Sequence, residues 1–592
     1  MRRKLITFFS KVLCISFLLC ACKGMNESKE ESYTLLVYMC GSDLESKRGY
    51  ASDNIDDILH ANMPKNTNVV IQTGGSSSWK NEKIYADAIG RYEVKNGELI
   101  SVETLAQNNM GESDTLLSFL NFAKETYPAD KTSLILWDHG NGSLGEICYD
   151  ENYGRDSLTL SEIEAALQAA DIKFDFIGFD ACLMATYDVA DMVKNYAKYM
   201  IASEELVPSS GWNYKTLIES LDESDLYSKA LNSYIEKHNS KTYYTLSTIK
   251  LSEMNEVDRV LNQIIQKLDY DSSVLTYALD DTISFGANET NRYNTNLFDL
   301  GLFASSLGIQ YDFSSFIQTA NGSARQKATG LSFFFPANKS VDQNGNNNQE
   351  GYLDVCRSKE YLTFLKSYLS RIPDTPIEFD LRGFDNNGQL SFSLKEESLQ
   401  YVQTVEYDVH ICHTDISEST LSKPMYYIGA FDDVSKSHAL YTVDFSGKWV
   451  YLNDLLLHCD ILEKEDKYTV YFAPIIINNE NCYLVFTYIS SAKKAIIEGY
   501  IESSENTPRI NPLQLGTEIT VVYESSENEN TYYVEGSVIY DSNTLISMKD
   551  LPVGQYQCIP RIVDVFGNVY YADTAFITFD GNSTKIDDIA TG

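Results

Sequence analysis

Two short apolar runs, each ending at a polar residue, limit what this chain can fold into: Thr132 to Asp138, followed by His139-Gly140-Asn141-Gly142, and Phe174 to Phe179, followed by Asp180-Ala181-Cys182. Rich in Leu, Ile and Phe and bounded by charged or turn residues, each reads as a strand buried on both faces of a parallel sheet. Between them Leu160 to Ala170 is apolar at helical spacing. Strand, helix and strand therefore form a right-handed crossover, and both strands point the same way. In an open α/β sheet the ligand crevice lies beyond the carboxyl ends of the strands. His139 and Cys182 fall at that edge, and one imidazole beside one thiol is the minimum apparatus for a cysteine nucleophile.

A thiol with an ordinary pKa of about 8.5 needs a neighbour to form the thiolate and to protonate a leaving amine. His139 can do both. A helix expected to begin near Leu183 would stabilise the anion and aim N–H groups at a developing oxyanion. Gly140 and Gly142 would admit a substrate backbone. The same residues have plainer readings: a cysteine after a strand is often core, and a histidine at a strand end is often a satisfied polar residue.

Along the chain, Tyr33 to Met39 is predicted as the first strand, with a helix from Asp53 to His60 and a second strand from Asn68 to Thr73 completing a βαβ unit. Lys83 to Val94 and Glu98 to Leu105 form a hairpin turning at Asn96-Gly97, and Glu112 to Tyr127 is an amphipathic helix closed by Pro128. Beyond Cys182 the pattern predicts helices at Met184 to Met200, Tyr214 to Leu221, Leu226 to His238, Ser252 to Leu268, Leu297 to Leu307, Phe313 to Ala320 and Lys359 to Leu369. A strand at Tyr243 to Ile249 and a last sheet strand at Gly330 to Pro336 complete this part, and Asp342 to Gly351 is a loop. From 373 to 592 helical periodicity fades into short alternating stretches rich in Tyr, Val and Thr, such as Tyr468 to Phe472, which argue for β-sandwich modules with a break near 505–511. The expected fold is α/β, a mostly parallel sheet flanked by helices over 33–372, followed by an all-β sandwich-like region.

The net charge of −37 over 592 residues disfavours nucleic acid as a partner and favours cationic ligands, although a merely solvated acidic surface has the same composition. Residues 1–21 have a basic start, Arg2-Arg3-Lys4, and an apolar run from Leu5 to Leu19, the form of an export signal. It ends at Leu19-Cys20-Ala21-Cys22, which resembles the bacterial lipobox. By that resemblance Cys22 is lipidated and anchors an exported protein to the outer face of a bacterial membrane through a linker over 22–32. Plain secretion and a single uncleaved span are the alternatives. The remaining cysteines, Cys40, Cys148, Cys182, Cys356, Cys412, Cys459, Cys482 and Cys558, are spaced too irregularly for a disulfide framework or a metal site; most are expected to be single buried thiols, and Cys182 differs by its position after a strand. His410-Ile-Cys-His413 puts two imidazoles and a thiol close in sequence, but on a strand His413 faces away from the other two.

Five blocks in order, from Leu36 to Glu45, Leu134 to Ser143, Asp175 to Ala185, Ala202 to Leu206 and Gly330 to Pro336, resemble the clostripain family of cysteine peptidases, within the larger group that includes caspases, legumains and gingipains. The resemblance implies a caspase-like fold and an endopeptidase working by a dyad, with His139 as catalytic histidine and Cys182 as nucleophile. It places the N–H groups of Gly140 and Cys182 in the oxyanion hole and Asp180 in the pocket for the side chain preceding the cleaved bond. That pocket selects Arg, and less strongly Lys, because a buried carboxylate needs a cation and Arg offers a bidentate fork. As a plain turn residue Asp180 would instead cap the following helix. Asn141 interrupts the family's run of glycines, at a position where Asn tolerates left-handed backbone. Glu204 and Glu205 lie in the fourth matching block and are candidates for substrate binding, or else a solvated or capping pair. Some relatives cut themselves between the histidine and the cysteine; here the basic residue in a polar loop is Arg155, whereas Lys173 abuts a strand. Calcium, which some relatives need, would have to use acidic loops such as Asp43 to Asp57, which lack a calcium-loop pattern; no other cofactor is implied. The expected partners are polypeptides with Arg or Lys before the cleaved bond. The competing reading is a non-catalytic surface adhesin or binding lipoprotein.

Overall fold

A computed structural model describes residues 31–144, 146–270, 274–286, 295–337, 348–370, 376–413, 426–464, 467–503, 509–524 and 532–590. The export signal and Cys22 lie outside them.

Strands β1 (Tyr33–Cys40), β2 (Thr67–Gly74), β3 (Ala88–Lys95), β4 (Glu98–Ala106), β5 (Lys131–Trp137), β6 (Phe174–Asp180), β7 (Ala197–Ala202), β8 (Ser247–Lys250) and β9 (Ile317–Thr319) form one nine-stranded sheet in the order β9-β8-β7-β6-β5-β1-β2-β3-β4. The five inner strands, β7-β6-β5-β1-β2, are parallel. Two antiparallel strands extend the sheet at each edge. β1 alternates in the way a doubly covered strand must: Leu36, Tyr38 and Cys40 enter the core on one face, and Leu35, Val37 and Met39 that on the other. Helices α1 (Ser42–Ser46), α2 (Tyr50–Leu59), α3 (Ser113–Thr126), α4 (Leu160–Ala170), α5 (Tyr187–Val193), α6 (Tyr214–Glu219), α7 (Leu226–Lys237) and α8 (Met254–Tyr270) flank it. α4 has the limits its periodicity predicts, because Thr159 and Glu162 close a reciprocal capping box at its start.

Several predicted elements differ, each for a local reason. The long helix expected from Met184 shrinks to α5, which begins only where the Thr186 hydroxyl accepts from Val189 N–H. Leu183, with φ +66°, breaks the chain before it. Leu297–Asp299 is a strand, and the helix predicted there starts at Leu300, capped by the Asp299 carboxylate. Ser332–Phe334 does not join the large sheet; it pairs with Leu297–Asp299 in a separate three-stranded sheet. Gly330, at φ +96°, turns the chain away so closely that a Cβ would lie 2.5 Å from Ile317. The last strand of the large sheet is β9, inside the segment predicted as helix from Phe313 to Ala320. Part of the loop predicted to Gly351 is helical, Asn348–Val355.

From Phe379 to Ala590 the described elements are strands in several sheets, apart from one short 3-10 turn at Glu396–Tyr401. They pack onto the α/β part rather than beside it: Leu462, Val470, Phe472, Val485, Ile501 and Ile510 belong to the same core as Leu36 and Phe179. Ion pairs cross the same junction. Buried Glu502 meets Arg48 and Lys47, and Arg325, fully buried, pairs with Glu205 and Glu463 and stacks 3.9 Å over the Tyr243 ring. Such buried pairs specify one docking geometry, since separating the partners strands a charge away from water. All eight remaining cysteines are thiols. No helix among the described residues is long and apolar enough to cross a membrane.

Candidate active site

β5 and β6 are hydrogen-bonded neighbours with Trp137 opposite Asp180, and Asp138 N–H continues the ladder onto Asp180 O at 3.4 Å. Two residues beyond this pair the chains deliver His139 and Cys182 to the same edge. Gly140 packs directly on the cysteine's backbone: a Cβ there would lie 2.6 Å from Cys182 O and 3.0 Å from Ala181 Cβ. Any side chain would push the two loops apart. The helix expected just after Cys182 is absent; residues 181–186 are irregular, and α5, seven residues long, starts at Tyr187. A helix dipole is therefore not what tunes the thiol.

The imidazole is fixed from the other side. His139 Nε2 lies 3.0 Å from Asp43 Oδ1, and Asp43 also faces Lys47 at 3.3 Å and Arg155 at 3.6 Å. Burial alone would raise the Asp43 carboxyl, but His139, followed by Arg155 and Lys47, holds it well below the usual carboxylate range. It is ionised at neutral pH and orients the ring. Asp43 carries no sequence signal of this role beyond its place in the first matching block.

Burial pushes the Cys182 thiol up to about 11. The Arg509 charge and the Val207 N–H, which donates to Sγ at 3.1 Å, act against this, and Glu205 and Asp180 add to it. In this closed arrangement the sulfur is a thiol, not a thiolate. Asp180 is equally buried, and its Oδ2 accepts from Trp212 N–H at 3.2 Å and Tyr214 O–H at 3.0 Å. Gly211, at φ +61°, passes so near that a Cβ would lie 2.7 Å from that oxygen. Burial raises the Asp180 carboxyl, against the lowering influence of Arg509.

The family model of the clostripain family, Peptidase C11, matches residues 37–535. The chain belongs to this family. Clostripain of Hathewaya histolytica is 26% identical over 227 residues, 33% of this chain and 43% of its own length, so the alignment spans less than half of that relative. Among solved structures, a secreted C11 cysteine protease from Bacteroides thetaiotaomicron bound to an irreversible peptide inhibitor is 17% identical, with a TM-score of 0.44 over 57% of this chain and 99% of that one. An inactive zymogen C11 protease from Parabacteroides distasonis is 20% identical, with a TM-score of 0.38 over 58% and 96%.

The other residues singled out in the sequence have definite places. Glu204 and Glu205 are fully buried. Glu204 accepts from Gly330 N–H and sits against Asp299, while Glu205 accepts from Gly286 N–H and pairs with Arg325. The solvated alternative is thereby excluded; they tie the edge beneath Cys182 to the segments around 286 and 325–330. Arg155, at φ +65°, sits one-third exposed between the short strands Ile147–Asp150 and Asp156–Leu158, and Lys173 donates to Asn195 O. Among the described residues no group of three or more His, Cys, Asp or Glu side chains could hold a metal ion; in the acidic stretch Asp43 is taken by His139 and Asp53 by Lys80.

One residue that sequence reasoning passed over enters the site from the far end of the chain. Arg509 is fully buried. Its Nη2 donates to Asp138 O at 2.6 Å, just past the end of β5, and to Asp180 O at 2.7 Å, at the end of β6, and its guanidinium lies 5.3 Å from the Trp137 ring centroid.

Proposed function

We propose that the protein is a lipid-anchored, exported cysteine endopeptidase that cleaves after Arg, and less readily after Lys. The observation that carries this reading is the β5–β6 register, which sets His139 and Cys182 two residues beyond a hydrogen-bonded pair, with the buried Asp180 carboxylate at the same edge. Cys182 Sγ attacks the substrate carbonyl carbon as its proton passes to His139, held through Nε2 by Asp43 so that proton traffic uses Nδ1. The oxyanion is received by the N–H groups of Gly140 and Cys182. The C–N bond then breaks as His139 protonates the leaving amine. Water, giving a proton to His139, hydrolyses the thioester, and the sulfur recovers its proton. Asp180 supports the side-chain preference because a buried carboxylate is stabilised by a cation.

Export and anchoring through Cys22 rest on the sequence ending Leu19-Cys20-Ala21-Cys22, and incorporation of labelled fatty acid that is lost in Cys22→Ser tests them. Self-cleavage after Arg155 predicts a chain beginning at Asp156 in amino-terminal sequencing; an active, intact chain would end that idea. The central test is hydrolysis of a small Arg-amide substrate, abolished by Cys182→Ala, with Asp180→Asn losing the preference for Arg over uncharged side chains. Hydrolysis that survives Cys182→Ala would refute the reading, and a protein inert with its pocket opened would leave the binding lipoprotein.

A further inference from the structure

We propose that the Asp180 pocket binds this chain's own Arg509, so that the C-terminal β region is a tethered ligand that occupies the cleft and keeps substrate out. The inference rests on the peptidase reading for its consequence, but not for its geometry. A fully buried arginine is expensive unless its charge and donors are met. Here the site supplies partners: Nη2 donates to two carbonyls at the ends of β5 and β6, the guanidinium lies over the face of Trp137, and its charge is felt by the Asp180 carboxyl.

The backbone after Arg509 is seated as well. Ile510 bridges Pro208 in parallel, and its carbonyl accepts from Ser209 N–H at 3.3 Å and Ser209 O–H at 2.8 Å. Asn511 Oδ1 accepts from Tyr50 O–H at 3.0 Å and faces Ser209 Oγ at 3.1 Å. The segment thus pairs through one parallel bridge with the stretch after β7, the residues whose Val207 N–H points at Cys182 Sγ. This is recognition of an extended peptide by main-chain pairing, with one side chain in a pocket. Beyond it, Glu502 on Arg48 and Lys47, and Glu498 accepting from Thr242 N–H at 2.9 Å, clamp the same region to the cleft's walls. His139, Cys182 and Asp180 are each no more than 1% exposed, so no polypeptide reaches the sulfur in this arrangement. A tethered ligand acts at an effective concentration on the order of millimolar, so its removal should strengthen binding of a competing cation about tenfold or more.

Two measurements separate this inference from the peptidase reading. The first needs no catalysis: in Cys182→Ala protein, calorimetry measures benzamidine binding with Arg509 present and with Arg509→Met, which keeps the side chain's length. At least tenfold tighter binding in Arg509→Met is expected, and a smaller gain in Asn511→Ala, which loosens the seat if the first variant fails to fold. Equal affinity in all three, or no binding in any, overturns the proposal. The second measurement is Arg-amide hydrolysis in otherwise wild-type protein, where Arg509→Met should raise kcat/KM at least tenfold through KM. Tighter benzamidine binding without hydrolysis leaves the tethered ligand standing and removes the peptidase; Cys182-dependent hydrolysis that Arg509→Met does not change does the reverse.

Discussion

Replacing Asp43 by Asn tests how much of the site's chemistry depends on a residue 96 positions from His139 in sequence. Both partners are buried, and the carboxylate accepts from Nε2 at 3.0 Å. A hydrogen bond to a charged group contributes about 1.5 to 3 kcal/mol, which converts to a loss of roughly 10- to 150-fold in kcat/KM. The upper end is favoured, because the same carboxylate neutralises Lys47 and Arg155 at 3.3 and 3.6 Å. In Asp43→Asn both cations would oppose the imidazolium that must form during attack. The assay compares variant and wild type on an Arg-amide substrate; Arg509 is common to both, so its occupancy of the pocket cancels. The loss should fall on kcat with KM nearly unchanged, and Asp43→Glu should recover part of it. An unchanged kcat/KM, or a loss confined to KM, would refute the orienting role.

Distances and burial set three further outcomes. Gly140→Ala places a methyl 2.6 Å from Cys182 O, and a displacement of about 1 Å at a reacting centre can cost roughly 100-fold; kcat/KM should fall by about that factor, and activity within about twofold of wild type would contradict the packing. With the Cys182 thiol pushed up to about 11, its alkylation by iodoacetamide, read by mass spectrometry, should be slow at pH 7.5 and still rising at pH 9.5, whereas a plateau below pH 8 would mean a thiolate already formed. Burial, opposed by the hydrogen bond from Nε2 to Gly211 O at 3.1 Å, lowers His238 to about 4. Its unfolded form protonates near pH 6.5, so its contribution to stability is complete above that and is lost as pH falls toward 4, by roughly 2 kcal/mol at pH 5. The drop in urea midpoint from pH 7.5 to pH 5 should shrink in His238→Gln, and an equal drop would remove His238 as the cause.

The tethered arginine and the buried ion pairs at the junction give the C-terminal region a physical connection to the site. Arg325 links Glu205, on the edge beneath Cys182, to Glu463 in the β region. Glu502 links the strand before Arg509 to Lys47 and Arg48, a few residues after Asp43. Displacing the β region therefore changes the charges around both His139 and Cys182.

By itself the sequence determined the inner sheet, the α4 crossover and the edge at which His139 and Cys182 arrive, because period, apolar runs and capping residues act within a few positions of one another. It misjudged the segment after Cys182 and the stretches at 297–307 and 313–320, where a capping Thr or Asp and one left-handed residue outweigh apolar periodicity. Asp43 on the imidazole, Arg325 between two carboxylates and Arg509 on the Asp180 carbonyl belong to the tertiary structure alone: partners lying 96, 120 and 329 residues apart are selected by burial and charge once the chain has closed, and no local pattern encodes that meeting.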